Sequence, residues 1–226
     1  MEMENNKSVH ILMIDDHPSM IEGYKSILSY NELGYEIKVT PAYDSKSAYE
    51  ILNNDANLEQ FDLIFIDLSL PPYEEKEIKT GEDLAKIAKF RFPNAKIAII
   101  TSHAEAFILY NIQKHIDPDG LLVKSDFTAD DFLFAFEEMI HHRKYLSKTV
   151  KEGIKDLMSN TKFIDETNRE IIILLSQGVK SKNLPNHINL SMSAIDKRKT
   201  QIRDILRVKQ GNDEDIIREA KKLGFI

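Results

Sequence analysis

The stretch "VHILMIDDHP" (Val9–Pro18) ends an apolar run in two adjacent acids. A near-continuous apolar run of this length suits a strand buried on both faces of a parallel sheet. Adjacent carboxylates repel each other, so a pair at a strand end calls for something to hold. Four further runs repeat the pattern: "IKVTPAY" (Ile37–Tyr43), "LIFID" (Leu63–Asp67), "KIAIIT" (Lys96–Thr101) and "GLLVK" (Gly120–Lys124). Between them lie segments with helical spacing, such as Ile21, Tyr24, Ile27 and Leu28, or Leu84, Ile87 and Ala88. Five strands alternating with helices predict an α/β domain, a doubly wound five-stranded parallel sheet. In such sheets ligands sit outside the carboxyl ends of the strands.

The chain has 226 residues, of which 42% are apolar, enough for two domains with packed cores. No run approaches the ~18–20 apolar residues of a membrane span. The beginning, "MEMENNKSVH", is polar and acidic, unlike a signal peptide. The absence of cysteine excludes disulfides, thiolate chemistry and Cys-type zinc sites. A cytoplasmic protein with no membrane partner is expected. The net charge of −7 argues against a uniformly basic nucleic-acid binder, although net charge hides local distribution. No internal repeat or low-complexity segment is evident.

Asp15, Asp16 and Asp67 all fall at carboxyl ends of expected strands, as do Thr101 and Lys124. In one sheet these five converge on one crevice. Three carboxylates together need a cation, and hard oxygen ligands without Cys or a His cluster point to Mg²⁺. A lysine and a hydroxyl beside a metal-bound carboxylate make a phosphoryl-transfer site with one Asp as nucleophile. Alone, Asp67 reads as a turn cap, Lys124 as a surface lysine and Thr101 as a strand-end hydroxyl. His17, beside the acids, reads as a loop residue shaping access.

The ordered set "IDD", "IDLSLP", "ITS" and "LVK" after the first, third, fourth and fifth strands resembles the receiver domain of two-component response regulators, a flavodoxin-like fold, over residues 8–142. The resemblance implies that Asp67 is the phospho-acceptor. It implies that Asp15 and Asp16 bind Mg²⁺ with Asp67 and the backbone carbonyl of Ser69, that Thr101 moves toward the phosphoryl group, and that Lys124 contacts it. Pro71 follows Asp67 at the family's spacing. The chain departs from the family in two places. Leu121 stands where an aromatic residue often takes part in switching, and the loop "PYEEKEIKTGED" after Pro71 is longer and more charged.

Residues 128–160 read as helical, first as the last helix of the α/β domain and then as a linker helix over 143–162. Beyond it strand-like runs vanish. "DETNREIIILLSQG" opens at a capping Asp165 or Thr167 and closes at Gly178, and short helical segments follow. Residues 163–226 are therefore expected to form a small all-α domain of four helices. Lys180, Lys182, Lys197, Arg198, Lys199, Arg203, Arg207 and Lys209 concentrate positive charge there against Asp196 and Asp204, a footprint of phosphate-backbone binding. At 100° per residue Ile195, Ile202 and Leu206 form an inward stripe. Lys197, Thr200, Gln201 and Asp204 point away from it, with Arg198, Lys199, Arg203 and Arg207 on the flanks. A recognition helix presents groove-facing groups and basic flanks in this way.

These four helices resemble the helix-turn-helix DNA-binding domain of the NarL/LuxR/FixJ class, carried by "NREIIILLSQGVKSKNL", "LSMSAIDKRKTQIRDIL" and the linker-like "HHRKYLSKTV". Pro185 sits where that class continues its second helix, and Asp196 where it often contacts base or phosphate. The resemblance implies a response regulator phosphorylated by a sensor histidine kinase. It would bind double-stranded DNA, regulate transcription, act as a homodimer when phosphorylated, and catalyse nothing beyond its own phosphotransfer. A helical domain that binds a protein partner instead of DNA is the alternative. A magnesium-dependent phosphatase is disfavoured because Ser69 occupies the position of its second catalytic Asp.

Overall fold

The computed structural model describes residues 8–57, 61–160, 165–206, 208, 211–222 and 226. Six parallel strands form one sheet in the order β2-β1-β3-β4-β5-β6. They are β1 (Ser8–Ile14), β2 (Glu36–Ala42), β3 (Leu63–Asp67), β4 (Lys96–Thr101), β5 (Gly120–Val123) and β6 (Tyr145–Leu146). Helices α1 (Pro18–Leu28), α2 (Ser45–Asn53), α3 (Gly81–Arg91), α4 (Ala106–His115) and α5 (Ala129–Ile140) join them. β1, β3, β4 and β5 are buried on both faces over most of their length, as continuous apolar runs require, whereas only Ala42 of the edge strand β2 is buried. Val9, Ile11 and Met13 of β1 join Tyr24 and Leu28 of α1 and Phe132 and Phe136 of α5 in one apolar layer. Leu12 and Ile14, on the opposite face of β1, are equally buried. Capping boxes start α2 (Asp44 with Ser47) and α5 (Thr128 with Asp131), fixing where each helix leaves the crevice.

The first five strands fall within a residue of the runs read from sequence. The sixth corrects the expectation of one linker helix over 143–162. Helix α5 stops at Ile140, and His142 adopts a left-handed φ of 59°, turning the chain back along the sheet. Tyr145 and Leu146 then pair with Gly120 and Leu121. The Tyr145 N–H donates to the Asp119 carbonyl at 2.9 Å and the Ser147 N–H to the Leu121 carbonyl at 3.0 Å. Helical structure resumes only in α6 (Lys148–Asn160), and residues 161–164, at the expected linker–domain boundary, lie outside the described set.

The chain divides into two compact units, Met1–Ala104 with Asn111–Lys151, and Glu105–Tyr110 with Glu152–Ile226. In the second, α7 (Glu166–Ser176), a 3-10 helix (Ser181–Asn186), α8 (Met192–Ile205) and α9 (Asp213–Lys222) follow one another. Asp165 caps α7 by accepting from the Asn168 N–H, and Gly178, at φ 85°, ends it. Ile171, Leu175, Leu184, Ile195, Ile202 and Ile216 build its apolar centre. The expected second α-helix is a 3-10 helix with Pro185 inside it. Proline has no N–H for an i−4 bond, and its ring crowds the preceding turn. No helix among the described residues is long and apolar enough to cross a membrane.

Candidate functional site

Strand register gathers the acids. Ile14 pairs with Ile66, so Asp15 and Asp67 lie next to one another at the carboxyl edge. Asp67 pairs with Ile100, one residue before Thr101, and Thr101 pairs with Val123, one before Lys124. Asp15 is 4% exposed, Asp67 3% and Thr101 0%. The Lys124 ammonium bridges the two acids, 2.8 Å from Asp15 Oδ2 and 2.9 Å from Asp67 Oδ2. Burial works to lower the pKa of Lys124, but the hydrogen bonds and charges of Asp15 and Asp67 outweigh it and the net shift is upward. Lys124 is therefore a fixed cation at neutral pH. The remaining oxygens take backbone donors: the His17 N–H reaches Asp15 Oδ1 at 2.9 Å and the Ser69 N–H reaches Asp67 Oδ1 at 3.2 Å. Thr101 Oγ1 accepts from the His103 N–H at 3.0 Å.

One ammonium does not balance three carboxylates. Ligand atoms of Asp15, Asp16, His17 and Asp67 all lie within 4.8 Å of one another. Asp16 Oδ1 is buried and makes no hydrogen bond among the described residues, although His17 Nδ1 lies 2.8 Å away. An orphaned, buried carboxylate oxygen beside two more carboxylates fits a divalent cation with oxygen ligands. His17 itself is mostly exposed, consistent with a residue at the mouth of the crevice.

The loop after Pro71 folds as a small hairpin. Tyr73 and Ile78 pair antiparallel around the 3-10 turn Glu74–Lys76. Its entry is held by the Ser45 hydroxyl, which donates to the Pro71 carbonyl at 2.5 Å. Its exit is held by Gly81, whose N–H donates to the Leu68 carbonyl at 3.0 Å. A Cβ on Gly81 would lie 2.0 Å from the carbonyl oxygen of Asp67. Leu121, in the position where an aromatic side chain is common in receivers, is fully buried in β5 between β4 and β6.

Residues 11–131 match the family model of the response regulator receiver domain. The chain belongs to this family. The likeness of this response regulator extends beyond the receiver. It is 24% identical over 212 residues to the oxygen regulatory protein NreC of Staphylococcus epidermidis, covering 88% of this chain and 91% of that protein. NreC of Staphylococcus aureus is 25% identical over 211 residues, with the same coverage. A solved structure of an RcsB–DNA complex superposes with a TM-score of 0.66 at 20% identity, covering 96% of this chain and 100% of the other. An RcsB response regulator of Salmonella typhimurium gives 0.72 at 20% identity, covering 95% and 100%. The fold is thus shared along both units, and the comparisons bear out the NarL/LuxR/FixJ resemblance.

In the helical unit of the response regulator, the basic residues divide into two groups. Lys197, Thr200 and Gln201 are exposed on the outer face of α8, together with Asp196 and Asp204. Ile195, Ile202 and Leu206 are buried, as the helical stripe requires. Lys199 corrects the sequence reading: it is 8% exposed and faces inward. Its ammonium lies 2.5 Å from Asp213 Oδ1 and donates to Ser181 Oγ, and Ser181 donates to the other oxygen of Asp213. Arg198 reaches both oxygens of Asp165 and the Asn168 side chain. Arg203 is spent on the carbonyls of Lys199 and Gly211. These three side chains tie α8 to its own domain. Arg207 and Lys209 fall outside the described residues. The sequence stripe had no way to register Asp165, the cap of α7, and Asp213, the first residue of α9, which arrive from other helices. Lys180, at the start of the 3-10 helix, and Lys182, within it, are exposed.

Proposed function

We propose that this chain is a two-component response regulator that accepts a phosphoryl group on Asp67 from a sensor histidine kinase and regulates transcription by binding double-stranded DNA. The observation that carries the first half is the Lys124 ammonium bridging the buried carboxylates of Asp15 and Asp67. Asp67 attacks the phosphorus of the donor, the P–N bond to the kinase histidine breaks, and the imidazole leaves. Asp15 and Asp16, with Asp67 and the Ser69 carbonyl, would hold Mg²⁺, which when bound offsets negative charge on the transferring group. Lys124 offsets charge from the other side, and the Ser69 N–H orients the Asp67 carboxylate. Thr101 lies one residue beyond the Asp67 register partner, where its hydroxyl can turn toward the new phosphoryl oxygens and bias a two-state surface. The protein's own chemistry ends at phosphotransfer and dephosphorylation, and its site of action is the cytoplasm.

For DNA, the outer face of α8 supports a groove-reading role for Lys197, Thr200 and Gln201. Phosphate contacts are better supplied by Lys180, Lys182 and Lys197 than by the internally paired Arg198, Lys199 and Arg203. Each phosphate contact that these three lysines supply contributes roughly −0.9 to the log–log salt slope of DNA binding. RcsB is described in complex with DNA, and the shared fold lends this reading its support. A homodimer on paired half-sites is the active form. The presence of Asp196 and Asp204 on the same face favours a second reading, a protein partner for the helical domain.

The test of the site is Asp67→Asn with a small phosphodonor and Mg²⁺. Acyl-phosphate formation disappears in the variant and persists in the wild type; equal labelling of both would reject Asp67 as acceptor.

A further inference from the structure

The core side of the carboxylate crevice holds a hydroxyl that phosphoryl transfer as set out above does not use. Tyr24, on α1, is 5% exposed. Its ring stacks on Phe132 with centroids 4.7 Å apart, a contact that a phenylalanine would make equally well. The Tyr24 hydroxyl is buried and has no hydrogen-bond partner among the described residues. Such groups are rare because desolvating a hydroxyl without replacing its hydrogen bond is unfavourable. Tyr24 lines a small cavity together with Asp15 and Asp67, closed by apolar side chains such as Phe65 and Ile100. About 10 Å³ of it is open to the centre of a water molecule, close to what a single water needs. Both carboxylates act on the phenol: burial first, then the charges of Asp15 and Asp67, hold it in its protonated form.

We propose that one water in this cavity accepts a hydrogen bond from the Tyr24 hydroxyl and donates to the Asp15 and Asp67 carboxylates, which makes Tyr24 a positioning residue for the site. The oxygens have capacity for it. Each of the four already accepts one hydrogen bond, from the His17 N–H, the Ser69 N–H or Lys124, and each has a further lone pair. Three polar partners suffice to order a buried water. Lys124 aligns the two carboxylates from the solvent-facing edge, and the water aligns them from the core. Outer partners of this kind orient ligating carboxylates and raise metal affinity. The inference rests on the phosphoryl-transfer reading of the crevice.

The test uses the full chain and Tyr24→Phe. Three measurements are made: Mg²⁺ affinity by calorimetry, the rate of acyl-phosphate formation from a small phosphodonor, and a wild-type crystal structure that resolves ordered water. The expected result is a roughly tenfold loss of Mg²⁺ affinity, slower phosphorylation, and a water within hydrogen-bond reach of the Tyr24 hydroxyl and a carboxylate. A dry cavity in the wild-type crystal overturns the proposal. So does an unchanged Mg²⁺ affinity, including the case where Tyr24→Phe melts higher because a stranded hydroxyl has been removed. If the wild type itself neither binds Mg²⁺ nor takes a phosphoryl group, the reading of the crevice fails and this inference with it. If the wild type does both and Tyr24→Phe matches it, only the role of Tyr24 fails.

Discussion

At Gly81 a single methyl group separates a working crevice from a distorted one. The added carbon would lie 2.0 Å from the Asp67 carbonyl oxygen and 2.9 Å from its carbon, so backbone has to move. Gly81→Ala is expected to destabilise the receiver by ~1–3 kcal/mol, the usual range for overpacking. It is also expected to slow phosphorylation of Asp67 by roughly a hundredfold, as misplacement of a reacting group by about 1 Å does. Thermal melts and phosphodonor labelling check both, and a variant with wild-type labelling would show that the loop end does not position the acceptor. The acids themselves were legible in the sequence because a carboxylate or lysine at the end of an apolar run is conspicuous. Tyr24 was not, because it falls on the apolar spacing of α1, where a tyrosine reads as core and only the three-dimensional packing reveals where its hydroxyl ends.

Helix α8 shows how an element's charge differs from its available charge. Read along the chain, Lys197, Arg198 and Lys199 are three adjacent cations. In the fold, one faces solvent, one is shared with Asp165 and one is buried against Asp213 and Ser181. Lys199→Ala and Lys197→Ala should therefore fail differently. The first leaves Asp213 and Ser181 without their buried partner, so the helical unit loses roughly 1–3 kcal/mol of stability. The second leaves stability within about 0.5 kcal/mol, but lowers DNA affinity and reduces the salt slope by about 1. Melting curves and salt-titrated binding distinguish the two; equal loss of stability would refute the division. The 3-10 helix is the same lesson in backbone terms. Pro185 warned that an α-helix would be costly there, yet the apolar spacing that places Leu184 and Ile188 in the core survives the tighter winding.

On the scale of the whole molecule, the α/β domain was legible because four buried strands and the edge strand β2 each announce themselves as a short run, while β6 was not. Two residues of a charged, helix-like segment carry no period of their own. They become a strand only because His142 reverses the chain and β5 offers an unpaired edge. Signal transmission also belongs to this scale. Thr101→Ala is expected to leave phosphorylation of Asp67 intact while abolishing phosphate-dependent dimerisation, measured by sedimentation with and without phosphodonor. Normal dimerisation would remove Thr101 from the switch. In the hairpin after Pro71, Ser45 fastens one end to α2, Gly81 fastens the other beneath Asp67, and Tyr73 and Ile78 close the excursion on itself. The excursion is thereby anchored at both ends, and a change of length, charge or shape at its tip is insulated from the acceptor beside it.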